Sequence, residues 1–222
     1  MINKNIMPRY PEKTIISLED SLYIYYDPDF IDKDKSDQYF NILNKNLFES
    51  QLNKSKNIFK RYIKESRMML SFGDAELLFG FENSEYAISD WNNQTDPKLI
   101  EACNIIKEIR DKISRKTGIF YNFVLINRYK DGTQSIGPHR DKEDCIRQEY
   151  GIAGVSLGAW RQMVFKPDNF IPTGPYKDLE FTLENGSLID IKYPTNLYWK
   201  HSIPKRLKIK KPRISLTFRK IM

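Results

Sequence analysis

The chain has 222 residues, of which 40% are hydrophobic, and a formal net charge of +7. This length and apolar content allow one substantial core, and no Gly/Ser-rich or Pro-rich linker and no internal repeat divides the sequence, so we expect one domain. No apolar run is long enough to span a bilayer, the N-terminus has no signal-like pattern, and the 2 cysteines exclude a disulfide framework. We therefore expect a soluble, monomeric intracellular protein of the nucleus or cytoplasm, with no membrane partner.

The positive charge is concentrated in two segments of the chain. Basic clusters favour a polyanionic partner such as nucleic acid. The alternative is that a chain rich in lysine throughout produces basic runs without any partner, and charge alone leaves both interpretations open. The first segment contains Lys54, Lys56, Lys60, Arg61, Lys64 and Arg67, and the second contains Lys200, Lys205, Arg206, Lys208, Lys210 and Lys211.

The first predicted elements are a short strand and a helix. Residues 22–26 alternate loosely between the two faces of a strand, and residues 32–47 place four large apolar side chains on one helical face. We expect this helix to cover the outside of a sheet.

The next segment is polar and basic, with isolated large residues. After it, residues 71–74 predict a turn, and residues 77–81 predict a strand on which Phe79 and Phe81 share one face. Without further information, two alternating phenylalanines are typical of a packed core.

A second helix and a series of short strands follow. Asp96 and Pro97 predict the start of a helix that runs to about residue 115, and Gly118 predicts its end. Many short strands separated by Gly, Pro and Asp turns predict a mainly β fold with flanking helices (α+β), arranged as a two-sheet jelly roll. The predicted strands cover residues 121–129, 152–157, 162–166, 179–183, 187–191, 199–203 and 213–220.

A His-x-Asp pair follows the strand at residues 121–129 and a polar turn at Asp131. In an extended segment, residues two apart project to one side, so His139 and Asp141 can bind one metal ion. The chain has 2 histidines, so a third ligand of the same type would have to be His201, from another strand. Two histidines and one carboxylate form the facial triad of non-haem Fe(II) oxygenases, and this hard ligand set does not need the nearby Cys145.

The last predicted strand has an unusual polar face. Strict alternation puts Arg213, Ser215, Thr217 and Arg219 on one side of it. The two arginine Cα atoms are about 20 Å apart, and each side chain reaches inward by about 6 Å, which leaves about 8 Å between the guanidinium groups. That gap suits a short dicarboxylate. The alternative is an edge strand with solvated arginines.

Taken together, these residues resemble the AlkB family of Fe(II)- and 2-oxoglutarate-dependent nucleic-acid dealkylases. The likeness covers residues 20–222 and is closest to the animal nuclear branch that acts on double-stranded DNA. It rests on the strings NFVLINRYKDG, GPHRDKE, YPTN, W-x-HS-x-P and PR-x-x-LTFRKI. The resemblance implies a catalytic jelly roll at residues 117–222, and an N-terminal extension with a nucleotide-recognition lid within residues 1–95.

The resemblance also implies the cofactors and their ligands. Fe(II) would be bound by His139, Asp141 and His201, with 2-oxoglutarate and O2 as cosubstrates. Arg213 would bind the distal carboxylate of 2-oxoglutarate, together with Tyr129. The residues implied around the rest of the cosubstrate are Arg219, Asn127 and Thr217.

The implied reaction is oxidative demethylation of bases such as 1-methyladenine and 3-methylcytosine, with release of formaldehyde, succinate and CO2. Phe59 would be an apolar finger that fills the gap left by a flipped base, or else a buried loop anchor. Lys60 and Arg61 would contact phosphates. Glu143 would lie near the cationic base, or else be an exposed glutamate. Phe79 and Phe81 would line a lid that stacks on the base.

Two departures from that branch affect the substrate. Lys142 replaces an acidic residue, and residues 168–177 form a shorter, nearly uncharged loop where the branch has an arginine-rich one. Alkylated DNA, single- or double-stranded, is therefore the expected partner, with RNA also open. The alternatives are an Fe(II)/2-oxoglutarate hydroxylase acting on a protein or small molecule, and an inactive nucleic-acid binding module, which the complete set of metal and arginine positions argues against.

Overall fold

The computed structural model describes residues 13–18, 21–49, 67–77, 79–81, 84–86, 88–168 and 178–222, with the backbone alone at 18, 49, 79–81 and 84–86. In this part of the chain the helices are α1 (Lys33–Leu43), α2 (Pro97–Thr117) and α3 (Thr195–Tyr198), with a π-helical turn at Asn44–Glu49 and a 3-10 turn at Gln148–Tyr150. The strands are β1 (Thr14–Leu18), β2 (Leu22–Asp27), β3 (Met68–Gly73), β4 (Phe79–Phe81), β5 (Ser84–Tyr86), β6 (Ser89–Asp90), β7 (Phe123–Tyr129), β8 (Ile136–His139), β9 (Ile152–Gly158), β10 (Arg161–Pro167), β11 (Leu179–Leu183), β12 (Leu188–Lys192), β13 (Trp199–Ile203) and β14 (Arg213–Arg219).

The strands form two main sheets that pack face to face. The large sheet has the order β1-β2-β12-β9-β14-β7-β3-β6, the small sheet has the order β11-β10-β13-β8, and β4 and β5 form a separate hairpin. One apolar cluster joins the sheets, with Ile24 and Ile191 from the large sheet and Phe165, Phe181 and Trp199 from the small one. The predicted jelly roll with mainly β structure is confirmed.

A second apolar cluster lies between the other face of the large sheet and the helices. It contains Leu43 from α1, Ile106 and Ile109 from α2, and Val124 and Leu216 from the central strands. Helices α1 and α2 therefore flank the sandwich on one side, as the sequence predicts. The alternation along β14 explains why the two faces of the large sheet differ. Its apolar residues pack on the helices, and its polar residues face the small sheet.

The predicted helix boundaries are confirmed at α2. The Asp96 side chain accepts a hydrogen bond from the Lys98 backbone N–H, and Pro97 occupies the first turn. Gly118 has a φ of 75° and its N–H bonds to the Ser114 carbonyl, a left-handed cap that glycine adopts without strain. The first predicted helix also forms, but it is α-helical only over Lys33–Leu43 and continues as a π-helical turn.

The turn predicted at residues 71–74 is wrong. Met68–Gly73 is strand β3, which pairs antiparallel with β7 and places Ser71 opposite Leu125. A Cβ on Gly73 would lie 3.0 Å from the Asn122 carbonyl oxygen, so the glycine permits a close approach of two strands rather than a turn. Of the strand predicted at residues 77–81, Phe79–Phe81 forms β4 and pairs with β5, and residue 78 lies outside the described residues.

Several predictions fall outside the described residues. Phe59, Lys60 and Arg61, the rest of the first basic segment except Arg67, and residues 169–177 belong to that group. For Phe79 and Phe81 only the backbone strand is described. No helix in the described ranges is long and apolar enough to cross a membrane.

A buried carboxylate on β12 gives a testable effect on stability. Asp190 is 1% exposed, and its Oδ1 has no hydrogen-bond partner among the described residues. Lys192 Nζ lies 3.9 Å from Oδ2. Burial raises the pKa of Asp190 to about 6, although Lys192 opposes the shift. Because the folded state binds this proton more tightly than the unfolded state, the carboxyl destabilises the fold as pH rises through 4 to 6.

We therefore expect Asp190→Asn to raise the free energy of unfolding by about 2–3 kcal/mol at pH 8. The gain should shrink to under about 1 kcal/mol at pH 4, where the Asp190 carboxyl of the folded protein is protonated and neutral, like the asparagine amide. Urea unfolding at the two pH values measures the difference, with the exposed Asp144→Asn as the control. An equal gain at both pH values would contradict the ionisation argument.

Candidate metal centre

The two histidines of the chain meet on the small sheet. Strand β8 pairs antiparallel with β13, and this register places His139 directly opposite His201. Side chains of directly opposite residues project to the same face, so the two imidazole centroids lie 4.4 Å apart. Strand pairing therefore brings together two residues that are far apart in sequence.

Asp141 completes a three-ligand group. It lies two residues beyond His139, with its Oδ1 3.5 Å from His139 Nε2 and 3.9 Å from His201 Nε2. One ligand atom from each of the three residues lies within 4.8 Å of the others. Adjacent ligands at about 2.1 Å from one ion are about 3 Å apart, so a small contraction would bring all three onto a divalent cation.

Hydrogen bonds fix the orientation of two of these ligands. Arg219 donates from Nε at 2.9 Å and also from Nη2 to Asp141 Oδ2, which leaves Oδ1 facing the histidines. The Gly137 carbonyl oxygen lies 3.0 Å from His139 Nδ1. A carbonyl can only accept, so Nδ1 carries the proton and the Nε2 lone pair is available to a metal.

The charge states of Asp141 and His201 favour metal binding at neutral pH. Burial disfavours a charge on Asp141, but the Arg219 guanidinium and the two histidines hold its pKa well below the usual range. Burial lowers the pKa of His201 to about 4, which keeps that imidazole neutral. Burial also opposes protonation of His139, but the hydrogen bond and charge of Asp141 outweigh it and raise the pKa. An ionised carboxylate and a neutral imidazole are the forms that bind metal ions.

The three ligands open onto a cavity of about 120 Å³ between the sheets. The polar face of β14 forms one wall, with Arg213 opposite Tyr129 and Ser215 opposite Asn127 across the β7–β14 pair. All five residues that the resemblance implies around 2-oxoglutarate line this cavity together with the triad. They are Asn127, Tyr129, Arg213, Thr217 and Arg219.

The buried guanidinium of Arg213 is available to bind an anion. It is 1% exposed and donates from Nη2 to Ser156 Oγ at 2.8 Å, but its Nε and Nη1 are buried without a hydrogen-bond partner among the described residues. Burial lowers its pKa to about 10, although a guanidinium keeps its proton in proteins. A buried cation without a carboxylate is costly, so this position fits one carboxylate of a dicarboxylate. The interpretation of β14 as an edge strand with solvated arginines is wrong.

Arg219 and Arg213 face different partners. The sequence places both on the face that would bind the cosubstrate, and both line the cavity. In the structure Arg219 donates two hydrogen bonds to Asp141 Oδ2, so it orients a potential metal ligand.

Two further arginines lie near the Arg213 end of the cavity. Arg67 donates from Nε to Asn127 Oδ1 at 2.6 Å and lies 6.0 Å from the Tyr129 ring centroid. Arg161 lies 5.3 Å from the same ring, and its Nη2 donates to the carbonyls of Gln134 and Pro204. The sequence does not single out Arg161, because its position beside the Tyr129 ring depends on hydrogen bonds to loops from distant segments of the chain.

Glu143 is buried at the cavity. It is 7% exposed, and its Oε2 has no hydrogen-bond partner in the described part of the chain. Burial raises its pKa, and the charge of Arg219 opposes the shift. The alternative of an exposed glutamate is wrong, whereas the neighbouring Lys142 is exposed.

Apart from Lys200 on β13, the second basic segment forms a surface on the loop between β13 and β14. The Gly132 N–H bonds to the Ile209 carbonyl at 2.9 Å, and the Arg206 N–H bonds to the Gly132 carbonyl at 2.7 Å, so the loop is joined to the β7–β8 turn. A Cβ on Gly132 would lie 1.8 Å from the Arg206 carbonyl oxygen, so only glycine allows this contact. The exposed lysines on this surface are Lys130, Lys205, Lys208, Lys210 and Lys211.

Comparison with known proteins identifies similar sequences. A family model described as the 2OG-Fe(II) oxygenase superfamily matches residues 24–219. DNA oxidative demethylase ALKBH2 of Bos taurus and of Homo sapiens are each 37% identical to this chain over 168 residues, which cover 74% of this chain and 56% and 60% of the two relatives. Alpha-ketoglutarate-dependent dioxygenase alkB homolog 3 of Homo sapiens is 30% identical over 122 residues, covering 53% of this chain and 42% of the relative. The chain thus spans roughly half the length of these relatives.

Proposed function

The chain belongs to the 2OG-Fe(II) oxygenase superfamily, and we propose that it demethylates N-alkylated bases such as 1-methyladenine and 3-methylcytosine in DNA. Family membership implies Fe(II), 2-oxoglutarate and O2 as cofactor and cosubstrates. The resemblance to the AlkB dealkylases is confirmed by the similarity to ALKBH2. In the proposed reaction the products are the repaired base, formaldehyde, succinate and CO2.

The observation that carries this proposal is a shared cavity. The potential metal ligands His139, Asp141 and His201 line the same space as the buried guanidinium of Arg213. A hard N/O ligand set and a separate carboxylate-binding cation are what an Fe(II) and 2-oxoglutarate pair requires.

Each residue has a distinct role in this proposal. His139 Nε2, Asp141 Oδ1 and His201 Nε2 would hold Fe(II), and Arg219 would keep the Asp141 carboxylate oriented. Arg213 would bind the distal carboxylate of 2-oxoglutarate. The iron and its cosubstrate, when bound, supply the oxidation of the methyl group. The apolar residues that line the cavity would limit access of water to it, among them Leu125, Ile152, Met163, Ile189 and Ile191.

Smaller donors and the second basic segment complete the proposed site. Tyr129, Asn127 and Thr217 would contact the cosubstrate from the walls of the cavity, where the small Thr217 leaves room for its carbon chain. The five exposed lysines around the β13–β14 loop would attract the phosphate backbone of the substrate strand.

DNA is the proposed substrate because the ALKBH2 relatives carry the name DNA oxidative demethylase. Glu143, Phe59, Lys60, Arg61, Phe79 and Phe81 stay predicted substrate contacts. Buried Glu143 is the one among them whose side chain lies in the described part of the chain, next to the triad. The turnover assay compares single-stranded DNA, double-stranded DNA and RNA as substrates.

Two experiments on the wild-type protein test the proposal. Anaerobic addition of Fe(II) and 2-oxoglutarate should give a visible charge-transfer band. With O2, single- or double-stranded DNA or RNA carrying one 3-methylcytosine should lose the methyl group by mass spectrometry, with stoichiometric formaldehyde. Absence of the band would contradict the cofactor assignment.

Oligonucleotide binding separates the proposal from hydroxylation of a protein or small molecule. The observed affinity should fall steeply with salt, because lysine–phosphate contacts release counterions. A band without turnover of any methylated strand, together with salt-insensitive binding, would instead indicate the protein or small-molecule substrate.

A further inference from the structure

The backbone of Asp141 is held by a side chain where strand pairing ends. The last pair of the β8–β13 ladder is His139 with His201, and Asp141 lies beyond it. The Asn196 carboxamide bonds to both peptide groups of Asp141. Its Oδ1 accepts from the Asp141 N–H at 3.1 Å, and its Nδ2 donates to the Asp141 carbonyl at 2.7 Å.

Gln148 completes this network and fixes the orientation of the Asn196 amide. Gln148 Nε2 donates to the Asp141 carbonyl at 2.9 Å, and Asn196 Nδ2 donates to Gln148 Oε1 at 2.8 Å. Two acceptors therefore face Nδ2, so a flipped amide would lose both bonds. Asp141 and Asn196 are 4% and 7% exposed, so water does not readily replace these bonds.

The position of Asn196 in the chain connects this network to the strand that carries His201. Asn196 lies in α3, which leads directly into β13 and to His201. The Asn196–Asp141 contact thus joins the segment that carries His139 and Asp141 to the segment that carries His201. Arg219 holds the Asp141 carboxylate from another strand, so the backbone and the side chain of Asp141 are fixed independently.

We propose that Asn196 is a positioning residue of the metal centre, which sets metal affinity by fixing the Asp141 peptide relative to His201. The inference rests on the proposed function, because it requires a metal ion at the triad. Metal–ligand distances tolerate changes of about 0.2 Å, so a small displacement of Asp141 weakens binding. Outer contacts of this kind typically contribute 10- to 100-fold in metal affinity.

The chain offers a matched control at Asn122. Its Oδ1 accepts from the Ile221 N–H at 2.8 Å, and its Nδ2 donates to the Ile221 carbonyl at 2.9 Å, so it makes the same pair of bonds to one residue's backbone. Asn122 is also 7% exposed, but neither it nor Ile221 lines the cavity. Asn122→Ala therefore reproduces the loss of stability without touching the proposed metal ligands.

The test is titration of the metal-free proteins with Co(II), followed by the visible absorption of the bound ion, and urea unfolding of the same proteins. We expect Asn196→Ala to weaken Co(II) binding by about 10- to 100-fold, and Asn122→Ala to change it by less than about threefold, with similar losses of stability. If Asn196→Ala does not fold, Asn196→Asp keeps the acceptor for the Asp141 N–H, removes the donor to its carbonyl, and should weaken binding at least tenfold.

Unchanged Co(II) affinity in the folded Asn196 variants would overturn this inference alone, and so would equal weakening in the Asn122 variant. Failure of the wild-type protein to bind Co(II) would overturn the proposed metal centre, and this inference with it. The two failures are therefore distinguishable.

Discussion

His139→Ala should abolish formaldehyde release from 3-methylcytosine oligonucleotides and leave their salt-dependent binding within about twofold of wild type. The substitution removes one of three potential ligands, whose donor atoms lie within 4.8 Å of one another. Loss of an outer contact costs about 10- to 100-fold in metal affinity, so loss of a ligand should cost at least a hundredfold. The exposed lysines that would contact phosphates lie on a different loop, so binding should not depend on the metal.

The control for this result uses two aspartates three residues apart. Asp141→Asn should behave like His139→Ala, because an amide is a weaker and neutral ligand and cannot keep the ion pair with Arg219. Asp144 is exposed, so Asp144→Asn should keep wild-type turnover. Formaldehyde assays and salt titrations of binding give both quantities. Turnover by His139→Ala at a tenth of the wild-type rate or more would contradict the assignment of the iron ligands.

The sequence predicts the members of the metal site but not the reason why they meet. Spacing places His139 and Asp141 together, and His201 follows because the chain has only 2 histidines. Their convergence depends on the register that sets His139 opposite His201, and on the bonds from Asn196 that replace a strand neighbour. A register between strands sixty residues apart is a tertiary property that local patterns do not encode.

The polar face of β14 is a second case in which the sequence pattern predicts the residues but the fold decides their environment. Alternation predicts that Arg213 and Arg219 share a face, but it cannot distinguish an edge strand from a central one. The structure places β14 between β9 and β7, which buries both arginines. Burial then decides their chemistry, because Arg219 satisfies Asp141 whereas two donors of Arg213 have no partner in the described part of the chain. The turn wrongly predicted at residues 71–74 has a similar cause, since Gly73 serves a close strand approach.

Arg213→Met should weaken 2-oxoglutarate binding by about 150- to 5000-fold while the metal-free protein becomes more stable. Breaking a buried ion pair by removing one partner costs about 3–5 kcal/mol, which corresponds to this loss of affinity. Without cosubstrate, the same guanidinium is a buried charge with two unpaired donors, so an apolar side chain of similar length should stabilise the fold by about 1–4 kcal/mol. Affinity and stability should therefore change in opposite directions.

Arg161→Met is the matched control, because Arg161 is also 1% exposed and lies at a similar distance from the Tyr129 ring. Its guanidinium donates to three backbone carbonyls and does not line the cavity. Its removal should leave those carbonyls without their donors and lower stability, yet change 2-oxoglutarate affinity by less than about threefold. Anaerobic titration of the charge-transfer band measures the affinity, and urea unfolding measures the stability. Equal affinity in Arg213→Met and wild type would mean that the unmet donors of Arg213 do not bind the cosubstrate, whatever their effect on stability.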